Sequence, residues 1–179
     1  MPREIIDFWF SDRVRKLWFN STPEFDQELR ERFLATWEQA SRGELDDWKQ
    51  SAEGCLALVI ALDQLPLNMF RGEPRSFATE AQSREVARHA IDQGFDRMLE
   101  VEQRAFLYMP FMHSENLADQ QLALTLFDQE GLEGNYRFAR HHLGIIEKFG
   151  RFPHRNAILG RPSSVEEIEY LNSREAFTG

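Results

Sequence analysis

A chain of 179 residues, 42% hydrophobic and 28% charged, suits one globular domain over residues 1–179 with its own core. Its formal charge of −9 argues against nucleic acid or an anionic membrane surface as a partner, because phosphates draw in net basic faces. The longest apolar run, Cys55 to Leu62, is far below the ~18–20 residues of a membrane span, "MPREIIDFWF" lacks the layout of a signal peptide, and a lone cysteine excludes an internal disulfide; together these point to the cytoplasm.

Helical signals follow one another along the chain. Pro2 opens a short helix through Phe10. In "STPEFDQELRERFLATWEQASRG", Thr22 is a cap, Pro23 fits the first helical position and Gly43 the stop. Phe25, Leu29, Phe33, Trp37 and Ala40 recur at helical spacing and form one apolar stripe. "SAEGCLALVIALDQLP" reads as a buried helix ending before Pro66. Thr79 and Gln82 read as a capping box for a helix closing on Gly94. A shorter helix stops near Pro110, another starts at a Ser114 cap and stops at Gly131, and a third runs from Asn135 to Gly150. Ser164 with Glu167 caps the last one. No stretch alternates as a strand does, so the expectation is an all-α domain of seven or eight helices packed as antiparallel pairs.

Charge is unevenly spread. From Arg137 to Arg161 there are six basic residues and one acidic, a balance of +5 that leaves −14 for the rest. Within this stretch "GRFPHRNAILGR" (150–161) echoes "DQLPLNMFRG" (63–72). Each has a large apolar residue, a Pro, an Asn two or three positions later, and a Gly four residues after the Asn with an Arg beside it. Pro ends a helix, Asn tolerates turn geometry and Gly permits positive φ. The pair reads either as two similar helix-exit turns or as two sides of one pocket.

On "LDQLPLNMFRG", "YMPFMHSENLADQ", "HHLGIIEKFGRFPHRNAILGR" and "PSSVEEIEYL" the chain resembles a bacterial family known as domain of unknown function 924, over nearly its whole length. The resemblance implies a tetratricopeptide-like, right-handed array of helical pairs and brings no activity with it. Leu67 stands where the family pattern has Arg, which would cost this member one basic contact to a ligand.

The leading functional reading is a pocket for a small carboxylate or phosphate. Arg71, Arg151, Arg155 and Arg161 offer planar forks that match such groups, and His154 can carry charge or move a proton near neutrality. Asn68, Tyr108, His141, His142 and Asn156 complete the candidate lining. The rival is an interaction scaffold in which the arginines pair with Asp63, Glu115, Asp119, Glu166 or Glu167 and tie helices together. The stripe Phe25–Trp37 with Trp9, Trp18 and Phe19 then forms core, or a groove for a protein partner or a second copy. If there is catalysis, the candidates are His113, Glu115 and His154: His154 or His113 as acid or base, Arg151 and Arg155 holding the anion, and Glu115 or Asp119 orienting a histidine. A metal-assisted hydrolase is a further alternative, but no metal-binding spacing appears and no cofactor is expected; adjacent His141 and His142 point about 100° apart on a helix. Ser114 reads as a cap rather than a nucleophile.

Overall fold

The computed structural model describes residues 1–179 and is entirely helical, with no strands. The helices are α1 (Pro2–Trp9), α2 (Asp12–Arg15), α3 (Pro23–Ser41), α4 (Ala52–Val59), α5 (Leu65–Met69), α6 (Glu80–Asp92), α7 (Val101–Met112), α8 (Leu117–Phe127), α9 (Glu133–Phe149), α10 (Asn156–Leu159) and α11 (Val165–Leu171). Short 3-10 turns fill several connections. The residues group into two compact units, Met1–Arg71 with Arg75–Pro110, and Gly72–Pro74 with Phe111–Gly179.

The first unit is built round α4. Cys55 to Ile60 are buried on every side, as a helix apolar all round must be. α1 and α6 pack on α4, and α3 packs on the turn Ile60–Gln64 and on α5, which continue it. The stripe predicted on α3 is core: Phe25, Leu29, Phe33, Trp37 and Ala40 are all buried. Thr22 caps α3 through the Phe25 amide, and Gly43 follows its end at φ 75°. Burial of Cys55 lifts its thiol to about 11, so it is an inert core residue.

Pro66 does not end its helix. The chain widens into a π-turn over Ile60–Gln64 and continues as α5 to Met69. A proline removes one donor and crowds the carbonyl four residues earlier, and a π-turn is a standard accommodation. That earlier carbonyl, Leu62 O, accepts a 2.6 Å hydrogen bond from Thr79 Oγ1. Thr79 Oγ1 in turn accepts from Trp37 Nε1 at 3.1 Å. The expected Thr79–Gln82 capping box is therefore absent: Thr79 serves the π-turn, and Gln82 donates to Ser41 O.

In the second unit α8 and α9 pack as neighbours. α7 passes through Pro110 to Met112 rather than stopping at it. The cap of α8 is Asn116, which accepts from the amides of Ala118 and Asp119. Ser114 is not the cap; it donates to Asp119 Oδ2 at 2.6 Å and accepts from the Asn116 amide. α9 ends at Gly150, φ 71°, and α11 starts with the predicted Ser164–Glu167 capping box.

Candidate functional site

The turn 150–161 is the polar centre of the second unit. Gly150 and Gly160 both lie at positive φ, which lets the chain leave α9 and reverse after α10. Between them Phe152 and Pro153 are buried, and so are Arg155 and Asn156. The guanidiniums turn onto the protein's own carboxylates, Glu167 in the first turn of α11 and Glu115 in the α7–α8 connection.

Glu167 receives the first of them. Arg151 Nε donates to Oε2 at 3.0 Å and Nη2 to Oε1 at 2.8 Å, a two-pronged fork. Asn156 Nδ2 donates to the same Oε2 at 2.9 Å, and the Ser164 amide to Oε1 at 3.1 Å. Four donors on one carboxylate leave it fully satisfied. The Arg151 bond holds its carboxyl down to about 2 against the opposing effect of burial, with Ser164 and Asn156 assisting.

Glu115 receives the others. Arg161 Nη1 lies 3.0 Å from both of its oxygens, and the Phe152 amide donates to Oε2 at 3.2 Å. Arg155 Nη1 is 3.7 Å from Oε1, while its Nη2 donates to His113 O at 2.9 Å. Arg155 also stacks over Phe152, 5.0 Å from the ring centre. Arg161 Nε donates to Asn156 Oδ1 at 3.0 Å, which links the two halves. The result is one chain of contacts from Arg151 through Glu167, Asn156, Arg161 and Glu115 to Arg155.

Two of the candidate histidines border this network without joining it. His142 is 4% exposed, and its Nδ1 lies 2.7 Å from Phe138 O, so Nδ1 carries the proton and Nε2 is bare. Burial pushes its imidazole down to about 3, with His113, His141 and His154 adding repulsion and the Phe138 bond opposing. His154 is pushed down to about 4 by burial, then by Arg155, His113 and Arg161. Both are neutral at pH 7, so neither adds charge for an anion. His141 is exposed on α9, its ring plane 84° from that of His142.

The remaining candidates lie in the first unit. Asn68 Nδ2 donates to Asp26 Oδ1 at 2.7 Å, and Arg71 Nε donates to Asp26 Oδ2 at 2.7 Å. Burial acts to raise the Asp26 carboxyl, but bonds from Arg71, Ser21 and Asn68 outweigh it and hold it below its ordinary range. Tyr108 is buried and donates to Asp96 Oδ2 at 2.6 Å. The echo between the two turns thus has a local counterpart in each unit. Each Asn is buried and donates to a carboxylate in the first turn of another helix, Asp26 on α3 and Glu167 on α11.

Nothing local in the sequence marks Asp26 as the partner of Asn68 and Arg71, or Asn116 as the cap of α8, whereas Glu115 and Glu167 are among the arginine acceptors that the sequence offers. No three His, Cys, Asp or Glu side chains converge as a metal ligand set. Ser114 has its hydrogen committed to Asp119 and an acceptor site committed to Asn116, which leaves no imidazole-activated nucleophile there.

A family model described as a bacterial protein of unknown function (DUF924) matches residues 5–175. Among solved structures, a protein of unknown function from Agrobacterium tumefaciens is similar at 40% identity over 96% of each chain, with a TM-score of 0.91. No curated protein matches the chain.

Proposed function

Since the chain belongs to the DUF924 family of bacterial proteins of unknown function, we propose its role from its own side chains: it is a helical interaction scaffold, and its Arg–Glu network fastens the turn 150–161 to the neighbouring helix ends. One observation carries this reading. The donors of Arg151 and Arg161, the groups best suited to a small anion, are already engaged: Arg151 forks onto Glu167, and Arg161 gives Nη1 to Glu115, Nε to Asn156 Oδ1 and Nη2 to Phe152 O. Capturing a ligand carboxylate there would mean breaking intact ion pairs and leaving a carboxylate without its partner. A scaffold also needs outward apolar side chains, and Phe19, Phe138, Val165 and Ile168 are exposed.

A second reading, anion binding, draws on one feature. Lys148 and Arg151 border an open cleft of about 550 Å³ with Ser164. Glu166 and Glu167 line the same cleft and offset the two positive charges, so the scaffold ranks first.

The two readings separate in a thermal-shift screen of small carboxylates and phosphates against wild type, Arg151→Ala and Arg161→Ala. The scaffold predicts no anion-induced shift in wild type and a clear loss of stability in Arg161→Ala, about 2–4 kcal/mol, because Glu115 loses its closest guanidinium. A shift with an anion that disappears in Arg151→Ala would overturn it in favour of the ligand site.

A further inference from the structure

After α11 the chain doubles back over the second unit, and Phe177 inserts beside two histidines. Its ring centre lies 4.6 Å from that of His142 and 4.9 Å from that of His154, the latter nearly perpendicular at 89°. It packs on the buried cluster of Ile145, Ile146 and Phe152. The Phe177 amide donates to Tyr170 Oη at 2.9 Å. Gly179 passes so close to His154 that a Cβ there would stand 3.3 Å from Cδ2. We propose that residues 173–179 form an acid-released strap, held down by Phe177 on the neutral rings of His142 and His154 and let go when those rings take up protons.

The coupling follows from what the strap covers. With Phe177 in place, His142 has its Nδ1 hydrogen committed to Phe138 O, and a second proton would put a charge on a buried ring packed between Phe152 and Phe177. Arg155 and Arg161 from the turn, His113 from the α7–α8 connection and His141 from α9 all oppose a charge on these rings. The strap sets Gly179 against His154, and its own Arg174 and Glu175 are exposed, while Tyr170 of α11 meets the Phe177 amide. A protonated ring against Phe177 gains some cation–π attraction, but this is the smaller effect beside burying a charge and setting it among guanidiniums. Burial and repulsion keep both rings neutral well below the ordinary histidine range.

Lifting the strap hydrates the rings and returns them toward that range. Opening is then linked to proton uptake, so the open fraction rises as pH falls below about 6.5. The limit is about tenfold per pH unit for each ring that rehydrates fully. What release uncovers is the apolar floor of Ile145, Ile146 and Phe152.

The test is amide hydrogen exchange by NMR on the full chain between pH 7.5 and 5.0, corrected for intrinsic exchange, with both imidazoles titrated in parallel. Protection of the Phe177 amide should fall at least tenfold across that range, while amides of α4 stay protected. In Phe177→Ala the midpoint of His154 should rise by a unit or more. His154→Gln, which cannot take up the proton, should weaken the pH dependence of the strap. Strap protection that is flat with pH, midpoints unchanged in a folded Phe177→Ala, or loss of α4 protection in step with the strap would each overturn the proposal; the last means acid unfolds the whole protein.

Discussion

Arg151 and Glu167, sixteen residues apart, meet in a two-pronged bond of 3.0 and 2.8 Å that joins the exit of α9 to the first turn of α11. The carboxylate is buried and the guanidinium partly exposed. Substituting Glu167→Gln keeps a capping side chain but removes the charge. Water reaches Arg151 from one side, so the loss should fall below that of a fully buried pair, at about 2 kcal/mol in urea unfolding. Exposed Lys148→Gln should stay within about 0.5 kcal/mol. Equal losses in both variants would show that net charge, not this bond, is being read.

The pH dependence of stability has a definite sign. His142 and His154 are pushed down to about 3 and 4 in the folded protein, so between those values and about 6.5 the unfolded chain binds more protons. Their contribution is full above pH 6.5 and is lost as pH falls. Glu167, held down to about 2, acts in the same direction over a lower window, losing its contribution as pH drops below about 4.5. Urea midpoints at pH 7, 6, 5 and 4 should therefore fall steadily. His142→Leu should flatten the slope above pH 4 by up to about 1.4 kcal/mol per unit, and Glu167→Gln should flatten it only below pH 4.5. A stability maximum near pH 5 would contradict the neutral, buried histidines.

Thr79 is the hinge pin of the π-turn. Thr79→Val keeps the shape but leaves Leu62 O and Trp37 Nε1 each without the partner they have now. Two buried groups losing hydrogen bonds should cost about 2–4 kcal/mol. Thr79→Ser, which keeps the hydroxyl, should cost much less. If Val and Ser variants unfold at the same urea concentration, the hydroxyl is not what holds the turn.

Gly54 sits in the first turn of α4, where alanine would be favoured by about 1 kcal/mol on propensity alone. A Cβ there would lie 1.9 Å from the backbone oxygen of Trp48. Backbone cannot step aside as a side chain can, so the clash outweighs propensity. Gly54→Ala should destabilise by about 3 kcal/mol or more, read by thermal unfolding. A stabilised variant would mean that the 46–50 turn shifts freely.

Much was legible in the sequence because the relevant physics is local. Helical spacing marked the α3 stripe as one face, and Thr22, Pro23, Gly43, Gly150 and the Ser164–Glu167 box marked helix ends through neighbours three or four residues away. The string Phe-Gly-Arg-Phe-Pro-His-Arg-Asn likewise carried the family, and the charge balance singled out the turn. Distant partners were not legible. Pro66 and Pro110 read as stops because the local chain predicts a lost bond, whereas Leu62 O finds Thr79 seventeen residues on, and α7 runs through Pro110. Thr79 has the chemistry of a cap, but a contact seventeen residues back gives its hydroxyl to Leu62 O; at Ser114 the competition is local, with Asn116 taking the cap and the Ser114 hydroxyl turning to Asp119. The same holds at the site. That residues 137–161 are rich in Arg and His is a property of composition; that Arg151 and Arg161 face Glu167 and Glu115 depends on where α11 and the α7–α8 connection bring those carboxylates. Phe177 carried no signal at all, since its partners His142 and His154 become neighbours only when the chain folds back past α11. Sequence periodicity determines which residues share a helix face, and the packing of helices decides which charge each arginine meets.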